Sequence, residues 1–431
     1  MKLPNRDARS AVEIARDVNA RACDPLANVE AALLSINRQD ADIRAWAYVG
    51  NDTGSRNLPP SGAAAQLLAG VPVGVKDVID VAGMPTACGS QVCDVAPVQF
   101  DASSVAMLRQ EGAVPVGKTV TAEFAYVTPG PTRNPHDLMC TPGGSSSGSA
   151  AAVAAGMVPI ALGTQTGGSM IRPASYCGVI GFKPTFGLVA RDGMKVTCES
   201  LDVIGWFARD VSDIELVSEV LLPGEYQRGT ASLRGLRISC LDSNPGHVLE
   251  PAAKAVINDA RRTLEAHGCQ LRPSEIDNPE SLLNAHSAIM HYEFSRSLLP
   301  VFAAQAGSLS EPLIAAVRQG LAMSAADYLQ ARKWQDVQRK RWEFYFRDAD
   351  IVMTTSALGP APRGLASTGP SAFNKAWSLL GWPCLHLPTA YSDGGLPLGV
   401  QLVGPPDSDR RLIELASMIH QVIDQRKESR K

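Results

Sequence analysis

The sequence has no surplus of basic charge. Forty Lys and Arg side chains stand against 43 Asp and Glu, for a formal charge of -3. No polybasic run offers itself to a phosphate backbone or an anionic lipid surface, so neither nucleic acid nor a membrane is expected as a partner. No stretch is long and apolar enough to span a bilayer, and the N-terminal MKLPNRDARS lacks the apolar core of a signal peptide. The expectation is a cytoplasmic protein. Cysteines are scattered singly, at 23, 88, 93, 140, 177, 198, 240, 269 and 384, without the paired spacing of a zinc site; their odd number fits a reducing compartment. The seven histidines form no HExxH pair and no cluster with metal-ligand spacing, so a metal-dependent hydrolase is not expected and no cofactor is implied.

What remains is the composition of a globular enzyme. Hydrophobic residues make up 45% and charged residues 19%, with 37 Gly and 30 Pro, enough apolar material for a large core. Length alone allows one large α/β domain or two smaller ones. Ser10 with Glu13 reads as a capping box, and Asp24-Pro25 as an N-cap with Pro at the first helical position. With a short strand over 45–49, these make an N-terminal helical wrapper, residues 1–60, and a loop rich in Asn, Ser, Pro and Gly over 51–62 leads to the next ordered region.

From 71–75 onward, short apolar runs at 113–116, 158–162 and 179–182 alternate with helical or Gly-rich segments, which predicts an α/β sheet. A core is expected over 61–205. A mostly helical, substrate-side insertion follows over 206–345, interrupted by strand-like 236–241 and 270–272. Strands return at 351–354, 384–387 and 398–403, and a helix over 408–422 closes the chain. Residues 346–431 thus complete the same core, and no repeat of fixed period is present. The fold class is α/β: a large mixed sheet flanked by helices, in one large domain.

Residues 141–174, TPGGSSSGSAAAVAAGMVPIALGTQTGGSMIRPA, hold two Gly/Ser loops joined by an Ala-rich helical segment and a short strand. A Gly-Gly-Ser turn lets successive N–H groups point into one cavity, where they can stabilise a developing oxyanion. Thr166, Gly167, Gly168 and Ser169 are the candidates. A serine hydroxyl needs a base to become a nucleophile, and a lysine serves if burial holds its pKa down from about 10.4 to near 7. Lys76, after the apolar run VPVGV, is placed for that. Neighbouring Asp77 would oppose the shift, but side chains alternate faces along a strand, so the two need not touch.

GVPVGVKDVIDVAGMPTACGS (70–90), GKTVTAEFA (117–125), PGGSSSGSAAAVAAG (142–156), GTQTGGSMIRPA (163–174) and GLPLGVQLVGPP (395–406) resemble, in order, successive blocks of the amidase signature family. The resemblance covers about residues 62–190 and the C-terminal 70 or so. It implies a Ser-Ser-Lys relay: Lys76 deprotonates Ser145, a bridging serine held by a cis peptide bond, and Ser145 activates the nucleophile Ser169. Ser146 and Thr164 are candidates for orienting Lys76 or Ser145. Two features depart from the family's common pattern. Gln165 stands where Asp is usual, and Arg172 follows Ser169 by three residues rather than two. With Tyr176-Cys177 they make the stretch most similar to the malonamidase branch, in which the corresponding arginine holds a substrate carboxylate, as a planar guanidinium can.

The expected activity is therefore hydrolysis of a small, carboxylate-bearing amide such as malonamate, with a small-molecule amide as partner and a homodimer implied by the resemblance. The alternatives are the glutaminase subunit of a tRNA-dependent amidotransferase, or a catalytically silent binding scaffold. Two motif matches are rejected. GAVPVGKT (112–119) fits the P-loop expression, but its interior is a buried strand rather than a phosphate cradle. GSSSG (144–148) fits GxSxG, but NPHDLMCTP before it is not the hydrophobic strand of a nucleophile elbow.

Overall fold

A computed structural model of the protein describes residues 8–50, 65–225, 229, 232–241 and 247–428; the loop expected over 51–62 lies outside the described residues. The capping box forms as read. Ser10 Oγ accepts from Glu13 N at 3.1 Å, Glu13 Oε2 accepts from Ser10 N at 2.9 Å, and the helix Ala11–Asn19 follows. Asp24 Oδ1 accepts from Leu26 N at 3.0 Å and starts the helix Pro25–Ile43, which ends where Arg44 turns left-handed at φ 56°.

Eleven strands form one mixed sheet. They are β1 (Trp46–Val49), β2 (Pro72–Lys76), β3 (Val114–Thr119), β4 (Ile160–Gln165), β5 (Ile180–Lys183), β6 (Val203–Ala208), β7 (Arg237–Leu241), β8 (Gln270–Ser274), β9 (Ile351–Thr355), β10 (Cys384–Tyr391) and β11 (Pro397–Val403). Across the sheet the order is β1-β3-β2-β4-β6-β5-β10-β11-β9-β7-β8. Strand β2 runs parallel to both β3 and β4, whereas β6, β5, β10 and β11 alternate direction, and β9, β7 and β8 are again parallel.

Every residue of β2, β3 and β4 is buried, as expected for parallel strands covered on both faces. The period of two sorts their side chains into two cores. Val73, Val75, Ile160 and Leu162 enter one; Ala161, Val114 and Val116 enter the other, with Ala150–Ala155 of the Ala-rich segment.

One strand was not expected. The β6 segment VIGWFA is buried throughout and shows no polar alternation, so its sequence reads equally well as part of a helix or strand; the anticipated boundary at 205/206 falls inside it. Strands β7 and β8 of the mostly helical stretch also hydrogen-bond into the sheet through β9.

The helix Ser147–Ala154 is buried at all its positions and lies against the sheet at Gly148. A Cβ there would sit 2.2 Å from Ala45 O and 2.4 Å from Val120 N, both backbone atoms. Gly148→Ala is therefore expected to cost about 1–3 kcal/mol of stability through backbone displacement. Urea unfolding measures it, and an unchanged midpoint would contradict this packing.

Candidate active site

Lys76 is the last residue of β2, and the parallel register with β4 (Val73↔Ile160, Val75↔Leu162) carries its side chain to the end of that neighbour. It is completely buried. Its Nζ lies 2.8 Å from Ser145 Oγ and 2.7 Å from Thr164 Oγ1. Burial lowers its pKa to about 7, against the opposing pull of the Asp202 carboxylate. Asp77 does leave by the other face: Lys118 Nζ stands 3.1 Å from its Oδ1 and also donates to Pro85 O and Thr86 Oγ1, each at 2.8 Å. The carboxylate next in sequence is thus engaged elsewhere, and the amine at 76 meets two hydroxyls. When neutral it has a lone pair that can accept a hydroxyl proton.

The Gly143-Gly144-Ser145 turn presents that hydroxyl. Gly143 has φ +81°, and a Cβ on it would sit 2.8 Å from Pro173 Cα. The Gly144–Ser145 peptide bond is cis. Ser146 links this turn to β4: its Oγ donates to Thr164 O at 3.1 Å and accepts from Thr164 N at 3.2 Å. Ser146 and Thr164 therefore both hold the Lys76–Ser145 contact in place, one through backbone and the other through its own hydroxyl.

The second Gly/Ser loop follows β4. Gln165 Oε1 accepts from Met170 N at 2.8 Å and Ile171 N at 3.2 Å, so the long amide caps the helix Ile171–Cys177 that starts just after Ser169. Its Nε2 donates to Ser378 Oγ at 3.0 Å, and Ser378 Oγ donates to Gly167 O at 2.8 Å. His286 Nε2 donates to Thr166 O at 2.9 Å, its pKa lowered to about 4 by burial, so the ring is neutral. The Thr166 hydroxyl donates to Asp202, which also accepts from Thr197 N at 2.8 Å and Cys198 N at 2.9 Å. Burial raises the Asp202 pKa, and these donors counter it.

With the carbonyls of 166 and 167 tied outward, the N–H groups of Thr166, Gly167, Gly168 and Ser169 donate to no acceptor among the described residues. Four such N–H groups beside a serine can receive an oxyanion. Ser169 Oγ likewise makes no hydrogen bond among the described residues, to Ser145 or to any other group. Met170 and Ile171 are fully buried packing residues.

Arg172 is buried, its Nε and Nη2 donating to Gly144 O at 3.2 and 2.6 Å and its Nη1 to Gly369 O. Burial lowers its pKa to about 10, which still leaves it charged at neutral pH. It lines a cavity of about 480 Å³ with Thr368, Ser371 and Lys375. The same segment roofs both glycine turns: Thr368 Cγ2 lies 2.7 Å from where a Cβ on Gly144 would be, and Ser371 Cβ 2.7 Å from one on Gly168. Among the described residues no three His, Cys, Asp or Glu side chains converge as a metal site, and no helix is long and apolar enough to cross a membrane.

Asp202, His286, Ser378 and Lys375 were not anticipated. Their partners are 36, 120 and 211 residues away for the first three, and no local motif marks any of them.

A fully buried lysine of lowered pKa hydrogen-bonded to one serine, on a mixed α/β sheet whose next Gly/Ser loop carries a second serine and free N–H groups, has the parts that a lysine-dependent serine hydrolase uses. The family model described as Amidase matches residues 27–413, and the chain belongs to that family. It is 33% identical over 401 residues to the A subunit of glutamyl-tRNA(Gln) amidotransferase from Symbiobacterium thermophilum, spanning 81% of this chain and 82% of that one. A chain from a vestigial protein complex, solved with inhibitor and tied to the origins of an s-triazine catabolic enzyme, superposes with a TM-score of 0.88 at 27% identity, covering 97% of this chain and 99% of its own. A solved amidase gives 0.84 at 28% identity, over 97% and 100%.

These relatives correct one expectation. A homodimer that meets only a small-molecule amide and no nucleic acid does not accord with relatives named for a tRNA and as one subunit of a larger enzyme. Net charge averages the whole surface and is silent about what a partner subunit binds, so -3 could not decide the point. The relatives carry the amidotransferase name rather than malonamidase.

Lys76 must be uncharged to accept a proton, so kcat/KM is expected to rise with pH through about 7 and to level off above it. Lys76→Ala should lower kcat by about 10²–10⁴-fold and abolish that acid limb. The unfolded chain holds the Lys76 proton up to its ordinary value while the folded chain has lost it above about 7, so stability contributed through this group rises with pH across that window. Lys76→Met should therefore unfold at a higher temperature than wild type at pH 6. A pH-rate profile with the same acid limb in Lys76→Ala would contradict the assignment.

Proposed function

We propose that the chain is an amidase that hydrolyses a carboxylate-bearing primary amide through an acyl-enzyme on Ser169. Neutral Lys76 takes the proton of Ser145, which takes that of Ser169 as its Oγ attacks the amide carbon. The carbonyl oxygen becomes an oxyanion received by the N–H groups of Thr166, Gly167, Gly168 and Ser169. The proton on Lys76 returns through Ser145 to the amide nitrogen, the C–N bond breaks and ammonia leaves. Water, deprotonated by the same route, then releases the carboxylate and restores Ser169. The observation that carries this reading is the 2.8 Å contact between Lys76 Nζ and Ser145 Oγ in full burial.

Kinship favours glutamine as the amide, with the chain as the amide-hydrolysing subunit of a tRNA-dependent amidotransferase, since that is the name its relatives carry. A second reading, a malonamate-like amide as the substrate, is favoured by Arg172, which lines the cavity three residues after Ser169.

Ammonia release from glutamine, malonamate and a neutral amide by the purified chain, alone and with the other subunits of such an amidotransferase plus glutamyl-tRNA(Gln), separates the two. Glutamine hydrolysis that the added subunits and tRNA stimulate supports the first reading; turnover of malonamate, indifferent to them, supports the second. Acyl transfer to hydroxylamine is expected in either case, and Ser169→Ala should lose it. Hydrolysis without any trapped acyl product would count against the acyl-enzyme.

A further inference from the structure

The cavity that Arg172 borders holds a second cation. Lys375, the first residue of the helix Lys375–Leu380, also lines it, and its Cγ would lie 3.6 Å from a Cβ on Gly167, so its stem passes beside the second Gly/Ser loop at that residue. Its position is fixed by the residue before it: Asn374 Nδ2 donates to Gln401 Oε1 at 2.8 Å and Ser356 O at 3.2 Å. Lys375 Nζ itself has no hydrogen-bond acceptor and no ion-pair partner among the described residues. A half-buried ammonium normally finds a carboxylate, and none of the described residues lining this cavity is Asp or Glu. Arg172 engages Gly144 O and Gly369 O through three N–H groups, which leaves one on each terminal nitrogen. Burial, and then the charge of Arg172, lower the Lys375 pKa, the behaviour of two cations facing one space.

We propose that Lys375 is a second cationic contact for the substrate, acting with Arg172 on one carboxylate, and that the acyl group hydrolysed is anionic without a neighbouring ammonium, as in the monoamide of a short dicarboxylic acid. The proposal rests on the reading of Ser169 as nucleophile and Arg172 as a carboxylate contact. A carboxylate offers two oxygens with about four lone-pair sites, enough for both cations. Glutamine would bring an ammonium beside its carboxylate, and the described lining of this cavity offers two like charges and no acid to receive it.

The experiment measures kcat and KM of the full chain, wild type and Lys375→Gln, Lys375→Arg, Arg172→Gln and Ser169→Ala, on malonamate, succinamate, propionamide and glutamine. Lys375→Gln is expected to lower the ratio of kcat/KM for malonamate or succinamate over that for propionamide by about 10- to 100-fold, chiefly through KM, as loss of a charge-assisted contact does. Lys375→Arg should recover part of it, and equal melting temperatures exclude misfolding as the cause. A ratio unchanged in Lys375→Gln but collapsed in Arg172→Gln overturns the role of Lys375 and leaves the proposed function standing. Wild-type preference for glutamine over both monoamides overturns the substrate class. A wild type no more active than Ser169→Ala on all four amides overturns the proposed function itself.

Discussion

The site depends on keeping one amine uncharged inside the sheet. An ammonium at position 76 would need either water or a carboxylate, and the structure denies it both by different means. Water is excluded because β2 is flanked on both edges by parallel strands and covered on both faces. The carboxylate is removed by the alternation of the strand, which sends Asp77 to Lys118 on the far side. Lys118 in turn keeps Asp77 from being a bare buried charge, so the KD pair of the sequence is really a pair of opposite errands. The remaining negative influence is Asp202, and its carboxylate is occupied by the Thr166 hydroxyl and two backbone N–H groups.

Asp202 thereby couples the two halves of the chemistry. The same carboxylate that raises the proton affinity of Lys76 also holds Thr166, whose N–H is the first of the four that meet no acceptor among the described residues. His286 and Ser378 hold the adjoining carbonyls, and because each peptide unit is planar, fixing a carbonyl fixes the direction of the next N–H. The helices that supply His286 and Ser378 lie far along the chain from the loop they restrain. In the proposed relay, an oxyanion receiver built from backbone needs such external clamps, because glycine contributes no side chain with which to anchor itself.

The buried lysine, its serine partner and the two loops were legible because each is local: an apolar run ending in lysine, and two Gly/Ser turns separated by a strand and a helix. Caps at Ser10 and Asp24 were legible for the same reason. Strand β6 was missed because a strand buried on both faces shows no alternation, and its Gly205 approaches the Phe182 carbonyl, a reason for glycine that only the neighbouring strand reveals. Gln165 stood out in the sequence as a departure, but its work, capping the helix after Ser169 while reaching Ser378, depends on a residue 213 positions away. Lys375 carries no motif, and its meaning comes only from the cavity it shares with Arg172.

Net charge and cavity charge lead to different expectations here, and the difference is one of scale. The formal charge of -3 governs long-range encounter, which salt screens within about 10 Å. Two cations on one enclosed space, without an acid among the described lining, act at contact distance and through a medium less polarisable than water. Kinship speaks at a third scale, that of the whole chain, where 33% identity to a relative shows the family but does not by itself identify what lines the cavity. In this chain the charged lining sits in the roof over the glycine turns and on the helix after Ser169 rather than in the sheet beneath them. The segment from Thr368 to Lys375 is that roof, and it contributes one of the two cations, Lys375, facing Arg172 of the helix Ile171–Cys177.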